Sequence, residues 1–401
     1  MIKDDFLTLL FFFVPNLRFD YHDIWGEIFL QDICGFFKGN GISKEDISDN
    51  GNPCILYGQL YTTYKNEIIN EVISKTNVDL KNPFYSKKND LIIPSSGEDS
   101  LDIAVARSIK QENILLGGDL NVLRPNKEVS SDFLSYQLNG VRKYDIARIA
   151  QGKSIVHLHN DDLKKIKVFL PHIEEQKKIS YFLSLLDLRI ETQIKIIEDY
   201  IALRKQIVEN ELTIQSSEYN EYKLSNILKE VKNYSVKNGS IPHATLSKEG
   251  IYEKSERYDR DFLVKSDDKA YKISKYNDIC YNPANLKFGV ITINKFGDCI
   301  FSPIYVTFKV KEPFDPDYVA LYLCRDSFIK KARKYEQGTV YERTAVSPED
   351  LLSIKVLMPN LIKQRECVHK IELINAKIKN EERVLSSLKM QKSYLLNNLF
   401  I

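Results

Sequence analysis

Two stretches of the chain place apolar residues at helical spacing over lengths well beyond an ordinary globular helix. In the first, Ile179, Leu183, Leu186, Ile190, Ile194, Ile197 and Ile201 recur at steps of three and four. Two consecutive steps of four form a stutter, which locally relaxes a supercoil. In the second, Ile371, Ile374, Ile378, Leu385, Leu388, Leu395 and Leu399 keep the same rhythm, with polar residues at two seam positions. Each stretch follows a proline, Pro171 or Pro359, and contains no further proline and no glycine. Proline near a first turn costs nothing, because its missing N–H has no partner there anyway. About 40 residues at 1.5 Å each predict two rods of roughly 60 Å. An apolar stripe that long needs a partner, and the nearest one is the other rod, packed antiparallel.

The rods end two copies of one unit. Leu163–Lys177 reads LKKIKVFLPHIEEQK and Leu351–Arg365 reads LLSIKVLMPNLIKQR, at an offset of 351 − 163 = 188. The same offset aligns Ser86–Asp90 (SKKND) with Ser274–Asp278 (SKYND). Leu30-Gln31-Asp32-Ile33 matches Leu224-Ser225-Asn226-Ile227 more weakly, and Gln151-Gly152 matches Gln337-Gly338 after a loop-sized shift. Several matches in one order indicate duplication, and a period this long excludes a solenoid. Ahead of each rod lie about 140 residues of mixed pattern. Cys54–Tyr61, Asp90–Pro94, Gly289–Asn294, Asp298–Phe301 and Tyr305–Val310 predict strands, and Ser131–Asn139 and Pro316–Tyr335 predict helices. The boundaries are a tail at 1–15, a first α/β segment at 16–171, a central helix at 172–215, a second segment at 216–358 and a C-terminal helix at 359–401.

Composition narrows the functions. The 401 residues hold 57 Lys+Arg against 55 Asp+Glu, a formal charge of +2, so no polybasic arm is present. Any nucleic-acid contact must use a local basic face. No two of the six cysteines are close enough for a C-x-x-C pair, so they read as reduced, mostly buried thiols. Phe6–Val14 is apolar but too short to span a bilayer and lacks a signal peptide's flanks, which predicts an intracellular, cytoplasmic protein away from membranes. Catalytic motifs are missing: there is no P-loop, no G-x-G-x-x-G after a strand, no H-E-x-x-H and no G-x-S-x-G. His157 and His159 have no evident third ligand. Asn82-Pro83-Phe84-Tyr85 resembles the N-P-P-[YF] loop of adenine-N6 methyltransferases, but the second proline and a glycine-rich methyl-donor loop are absent, and the repeat counterpart lacks the motif. No catalytic residue and no metal site is assigned.

Two unlike globular segments, each followed by L-P-x-x-x-x-Q and a long amphipathic helix, resemble the specificity (S) subunit of type I restriction–modification systems. The likeness rests on Leu170–Ile179 (LPHIEEQKKI), Phe182–Ile190 (FLSLLDLRI) and the run from Leu203, and extends to Val14–Phe19, Trp25, Lys38–Lys44 and Cys54–Tyr61. It covers nearly the whole chain after residue 14. The second copy departs from it, with Met358 before Pro359 and Lys363 where the first copy has Glu175. The resemblance implies a mixed α/β fold, with two similar target recognition domains separated by an antiparallel pair of coiled-coil helices. It implies a non-catalytic subunit that reads a split, asymmetric site in double-stranded DNA and docks two methyltransferase and two restriction subunits. Those partners would use S-adenosylmethionine, ATP and Mg to methylate adenine or cleave unmodified DNA; this chain would hold no cofactor.

Base reading needs hydrogen-bonding and aromatic side chains, with lysine and arginine on phosphates. Candidates in the first segment are Lys38, Lys44, Tyr57, Tyr61, Tyr64, Lys65, Lys87, Lys88, Lys153 and Ser154. In the second they are Tyr252, Lys254, Arg257, Tyr258, Asn282, Asn285, Lys287, Arg343 and Thr344. Lys330–Lys334 reads equally as a solvated helix face. Two rivals stay open: a coiled-coil scaffold whose globular segments bind proteins, and an enzyme of unrecognised fold.

Overall fold

The computed structural model describes residues 15–20, 24–211, 219–236, 241–248, 250–253, 270–337 and 344–401. The chain forms two compact units, residues 1–195 with 382–401, and residues 196–381. Both are mixed α/β, and each contains a stretch of the two long helices, Ile173–Glu211 and Leu361–Asn398.

The first unit is built on a five-stranded sheet. Its order is Cys34–Lys38, Leu120–Pro125, Leu91–Pro94, Arg107–Ile109 and Ile68–Ile69, antiparallel except for the last pair. A second sheet of four short strands lies beside it, in the order Leu115–Leu116, Asn52–Ile55, Ser74–Thr76, Ile47–Ser48. The second unit repeats the central pattern as Leu228–Val231, Val306–Val310, Ile279–Tyr281 and Ile291–Ile293, all antiparallel. Leu91–Pro94 and Ile279–Tyr281 are buried throughout. That is why these runs read as continuous apolar stretches rather than alternating ones.

Each repeat motif has a physical reason. In Ser86–Asp90 the N–H of Lys87 donates to Asp90 Oδ2 (2.8 Å), and Asn89 has φ +72°. In Ser274–Asp278 the N–H of Lys275 donates to Asp278 Oδ2 (2.8 Å), and Asn277 has φ +70°. Asparagine tolerates the left-handed region and aspartate closes the turn, so both are needed to start the central strand. Entry and exit strands then pair: Gly26–Phe29 with Lys167–Leu170, and Tyr219–Lys223 with Lys355–Pro359. Each segment therefore starts and finishes on one ribbon, whose exit strand runs through a proline into a long helix.

The glutamine of L-P-x-x-x-x-Q fixes that corner. Gln176 is buried; its Nε2 donates to the Pro171 carbonyl (2.9 Å), and its Oε1 accepts from the Ser130 N–H (2.9 Å). Gln364 is buried likewise; its Nε2 donates to the Pro359 carbonyl (2.8 Å), and its Oε1 accepts from the Asp315 N–H (2.8 Å). Ser130 and Asp315 are the N-caps of the helices Ser131–Asn139 and Pro316–Leu323. One side chain thus ties the exit strand, the long helix and a domain helix together, twice over. Glu175, fully buried, is gripped by both arms of Arg18 at 2.7 Å. In the second copy Lys363 instead lies 5.9 Å from the Tyr219 ring centroid.

The long helices run antiparallel within each unit. In the first, Ile179 and Leu183 share a core with Leu399, Phe400, Trp25, Phe133, Tyr136 and Phe169. The N–H of Leu17 donates to the Asn398 carbonyl (2.8 Å), so the entry segment is held to the end of the C-terminal helix. Lys392 bridges Glu67 Oε2 and Asp187 Oδ1, both at 2.6 Å, and Tyr136 donates to Asp187 Oδ2 (2.7 Å). Burial opposes the charge on Lys392, but Glu67 and Asp187 outweigh it and raise its pKa. The Asp187 carboxyl is raised by burial and by Glu67, against the pull of Lys392. In the second unit Arg204 Nη1 donates to Asn375 Oδ1 (3.2 Å) and Lys377 lies 5.9 Å from the Tyr200 ring centroid. Asp187 and Asn375 are 188 apart (375 − 187), as are Arg204 and Lys392 (392 − 204), so these two crossings are repeat equivalents.

Several expectations are corrected in detail. Cys54–Tyr61 divides into a strand, Asn52–Ile55, and a helical turn, Gln59–Thr62, because Gln59 Oε1 caps the Leu56 N–H (2.9 Å). Pro316–Tyr335 breaks at Cys324 into Pro316–Leu323 and Asp326–Ala332, followed by a 3-10 turn, Arg333–Tyr335. On the central helix, Ile179, Leu183, Ile190 and Ile197 are buried and Leu186 half-buried, but Ile194 and Ile201 are 36% and 44% exposed. At 3.6 residues per turn the seam passes through Gln193, 2% exposed, so the covered positions 179, 183, 186, 190, 193 and 197 step by 4, 3, 4, 3 and 4 and the expected stutter is not there. On the C-terminal helix Ile371, Ile378 and Leu399 are buried, and Ile374, Leu385, Leu388 and Leu395 are half-buried.

Two outcomes follow for stability. Gln176→Ala or Gln364→Ala strands a part-buried N–H and a buried carbonyl, and each should cost about 1–3 kcal/mol in urea unfolding; a loss within about 0.5 kcal/mol, the range of an ordinary surface change, would mean the corner is held by something else. Lys392→Met leaves two buried carboxylates facing each other and should cost about 3–5 kcal/mol at neutral pH. A raised carboxyl pKa favours the fold below the unfolded value and loses that contribution as pH rises through the folded one. The Lys392→Met penalty should therefore shrink toward pH 5, and adding Asp187→Asn should recover part of it; a pH-independent penalty would contradict this account.

Candidate nucleic-acid interface

The loops at one end of the first unit's five-stranded sheet converge. Lys38 ends its edge strand opposite Asn121, and Leu120 stands opposite Pro94 at the same end. Just beyond, the Gly39 N–H donates to the Leu120 carbonyl (2.9 Å), the Asn40 N–H to the Leu116 carbonyl (2.9 Å) and the Ser95 N–H to the Asp119 carbonyl (2.8 Å). A Cβ on Gly39 would lie 2.0 Å from the Gly117 carbonyl oxygen, so only glycine lets these two loops touch. Ile42 packs on Gly117, which brings Lys44 to the same end. The hairpin Gln151–Gly152/Val156–His157 pairs with Ser96–Gly97 and carries exposed Lys153 and Ser154 at its tip. Gly152 has φ +134°, and a Cβ there would meet the Ile155 carbonyl oxygen at 2.0 Å. Tyr61 OH lies 3.9 Å from where a Cβ on Gly97 would sit, which joins the tyrosines to this hairpin.

Tyr57, Tyr61 and Tyr64 form one half-buried face against the core beneath the second sheet. The Tyr64 hydroxyl accepts the Ile73 N–H (3.3 Å), and Lys65 Nζ donates to the Tyr61 carbonyl (3.3 Å). Burial first, then Tyr57 and the carboxylates of Asp102 and Glu98, hold the Tyr61 phenol above its ordinary pKa. It therefore remains a neutral donor and acceptor at physiological pH. Lys38, Lys44, Tyr57, Tyr61, Lys153 and Ser154 are thus gathered at one end. Lys87 and Lys88 are not among them: they sit at the other end of the central strand, in the turn closed by Asp90.

A feature the sequence reading passed over lies on the same sheet. Both arms of Arg124 reach Asp90 (2.7 and 2.8 Å), and its guanidinium lies 4.8 Å from the Phe37 and 5.9 Å from the Phe84 ring centroid. Phe37 and Tyr85 are exposed. The available signal was the aspartate of the repeated S-K-x-N-D turn, whose second oxygen needed a donor.

In the second unit, Asn282 is buried and its Oδ1 accepts the Ala284 N–H (3.1 Å). That corrects its reading as a base contact: the side chain is spent on capping the turn Pro283–Phe288. Asn285 and Lys287 are exposed on the same turn, and Lys287 Nζ is 5.3 Å from the Phe288 ring centroid. Tyr252 is exposed on the hairpin Ala244–Leu246/Ile251–Glu253. Thr344 is half-buried beside the bridge between Gln337 and Ala345, the counterpart of the Gln151–His157 pairing. Lys254, Arg257, Tyr258 and Arg343 lie outside the described residues. Phe288 and Lys248 went unnoticed in the sequence, since one aromatic and one lysine carry no pattern of their own.

Among the described residues, no helix is long and apolar enough to cross a membrane. Known proteins give a consistent picture. Residues 23–199 match the family model of the type I restriction modification DNA specificity domain. A curated relative from Methanocaldococcus jannaschii, described as the type I restriction enzyme MjaX specificity subunit, is 27% identical over 313 residues, 72% of each chain. The crystal structure of a type I restriction–modification S subunit from M. genitalium aligns over 97% of this chain and 99% of its own, at 17% identity and a TM-score of 0.56. A chain from the structure reported as the basis of complex assembly and conformational transition of the type I R-M system aligns over 94% and 97%, at 13% identity and a TM-score of 0.59. The likeness to type I specificity subunits drawn from the sequence motifs is borne out by these matches.

Proposed function

We propose that this chain is the sequence-reading subunit of a type I restriction–modification complex and that it acts on double-stranded DNA in the cytoplasm. Residues 16–171 and 216–358 are its two target recognition domains, 172–215 and 359–401 its spacer helices, and 1–15 a tail. Each domain reads one half of an asymmetric, bipartite site. The helices set the gap and dock two methyltransferase subunits, to which two restriction subunits add. Methyl transfer from S-adenosylmethionine and ATP-driven cleavage belong to those partners, and this chain contributes recognition rather than chemistry.

One observation carries this reading: the buried-glutamine corner occurs twice, while the side chains exposed around it differ between copies. Unlike readers on like mounts suit unlike half-sites. The mixed charge at the first unit's loop end, which gathers Lys38 and Lys153 while the carboxylates of Glu98 and Asp102 act on Tyr61, favours a few placed contacts over a broad phosphate grip.

Mapping N6-methyladenine across the genome with and without the gene tests it. Loss of one bipartite motif is expected; an unchanged methylome would leave the scaffold reading in place, which also predicts no salt-dependent affinity for DNA. Inserting one heptad into both helices should lengthen the gap and leave both half-sites unaltered. A constant gap in such a variant would refute the spacer role.

A further inference from the structure

The turn Pro283–Phe288 is stiff, and it presents a large apolar side chain to solvent. Leu286 is buried in the second unit's core and anchors the middle of the turn. The Asn282 side chain caps its start, and the Asn282 N–H donates to the Val290 carbonyl (3.1 Å). The Val346 N–H donates to the Pro283 carbonyl (3.3 Å), and Gly289 closes the turn with φ +80°. Phe288, at the end of this fixed element, is 64% exposed. An exposed phenylalanine on a mobile loop can fold back onto the protein; one on a turn pinned at both ends cannot.

Its surroundings are basic and polar. Lys287 Nζ lies 5.3 Å from its ring centroid, and Lys248 packs over Gly289, with Cε 3.6 Å from where a Cβ would sit. Asn285, exposed on the same turn, has the side chain suited to paired hydrogen bonds with adenine. In the first unit the helical turn after the strand Ser96–Gly97, Ser100–Ile103, presents Leu101 at 40% exposure, but Glu98, Asp99 and Asp102 surround it in sequence. Those carboxylates would repel a phosphate backbone, so the inference is confined to the second unit. An apolar wedge between two lysines matches a polyanion whose interior is a stack of flat rings.

We propose that Phe288 is a specificity-determining wedge that contacts, and partly unstacks, a base step in the half-site read by the second domain, with Lys248 and Lys287 on the flanking phosphates. This rests on the DNA-reading function proposed above. An exposed apolar side chain between two cations is otherwise a surface for protein, and the test separates the two.

The test uses the methyltransferase complex assembled with the full chain, wild type or carrying Phe288→Ala or Phe288→Trp. Duplexes bear the motif obtained from methylation mapping, with 2-aminopurine placed in turn at each position of both half-sites. With the wild type, fluorescence should rise at one step of one half-site only. Phe288→Ala should abolish that rise and weaken cognate binding by about 5- to 150-fold, while Phe288→Trp retains both. Matching melting temperatures for the three chains would confirm that the exposed position tolerates substitution. If Phe288→Ala binds and unstacks like the wild type, the wedge is refuted and the reading function stands. If it impairs complex assembly with DNA contacts intact, the residue is a protein contact and the wedge is again refuted. If the wild-type complex prefers no sequence at all, the reading function itself fails.

Discussion

The architecture depends on a side-chain amide buried at the corner between a strand and a long helix. A glutamine there has a donor and an acceptor to satisfy in a place water does not reach. Gln176 and Gln364 spend both on backbone groups that belong to different elements: the carbonyl of the proline that ends the exit strand, and the N–H of a helix-capping residue. An apolar side chain would fill the space but would leave the capping N–H and the proline carbonyl unpaired, each at a cost of about 1–3 kcal/mol. The amide therefore sets an angle rather than merely filling a void. It dictates where the long helix leaves each globular segment.

The two copies keep this corner and diverge elsewhere in ways that affect stiffness. In the first unit Lys392 sits between two buried carboxylates and under a tyrosine hydroxyl bonded to one of them. At the equivalent crossing in the second unit, the partners are Arg204 and Asn375, exposed and 3.2 Å apart. A buried, ion-paired charge cluster tolerates little displacement, because any movement strands a charge in a poor solvent. An exposed amide–guanidinium contact exchanges with water at small cost. The first unit's helix crossing is accordingly the more demanding joint of the two.

Much of this was legible in the residues, and the reasons for the rest are physical. The S-K-x-N-D and L-P-x-x-x-x-Q repeats were visible because a left-handed turn and a buried amide admit few substitutes. The strands Leu91–Pro94 and Val306–Val310 and the helix Ser131–Asn139 followed from apolar runs and their flanking turn residues. The helix seam was placed one residue off at Ile194, because an apolar period cannot show that a glutamine, Gln193, occupies the buried side. The candidate interface was less legible. Nothing in the linear order brings Lys153 to the same end as Lys38 and separates both from Lys87; that sorting comes from strand direction and from glycines that let loops touch. Asn282 looked like a base reader because capping and base reading use the same side chain.

The same limit explains why recognition surfaces on a constant frame are hard to read in advance. A mount is specified by residues with few alternatives, such as a buried amide, a glycine forced by a 2.0 Å approach or an asparagine at positive φ. A reading surface is specified by exposed residues, for which almost any side chain is compatible with the fold. Phe288 illustrates how the two can be told apart: it is the frame, through Leu286, Asn282 and Gly289, that makes its exposure meaningful. An apolar group held out in water by a rigid support has been given no way to avoid the solvent, and that is the condition under which a partner gains most by covering it.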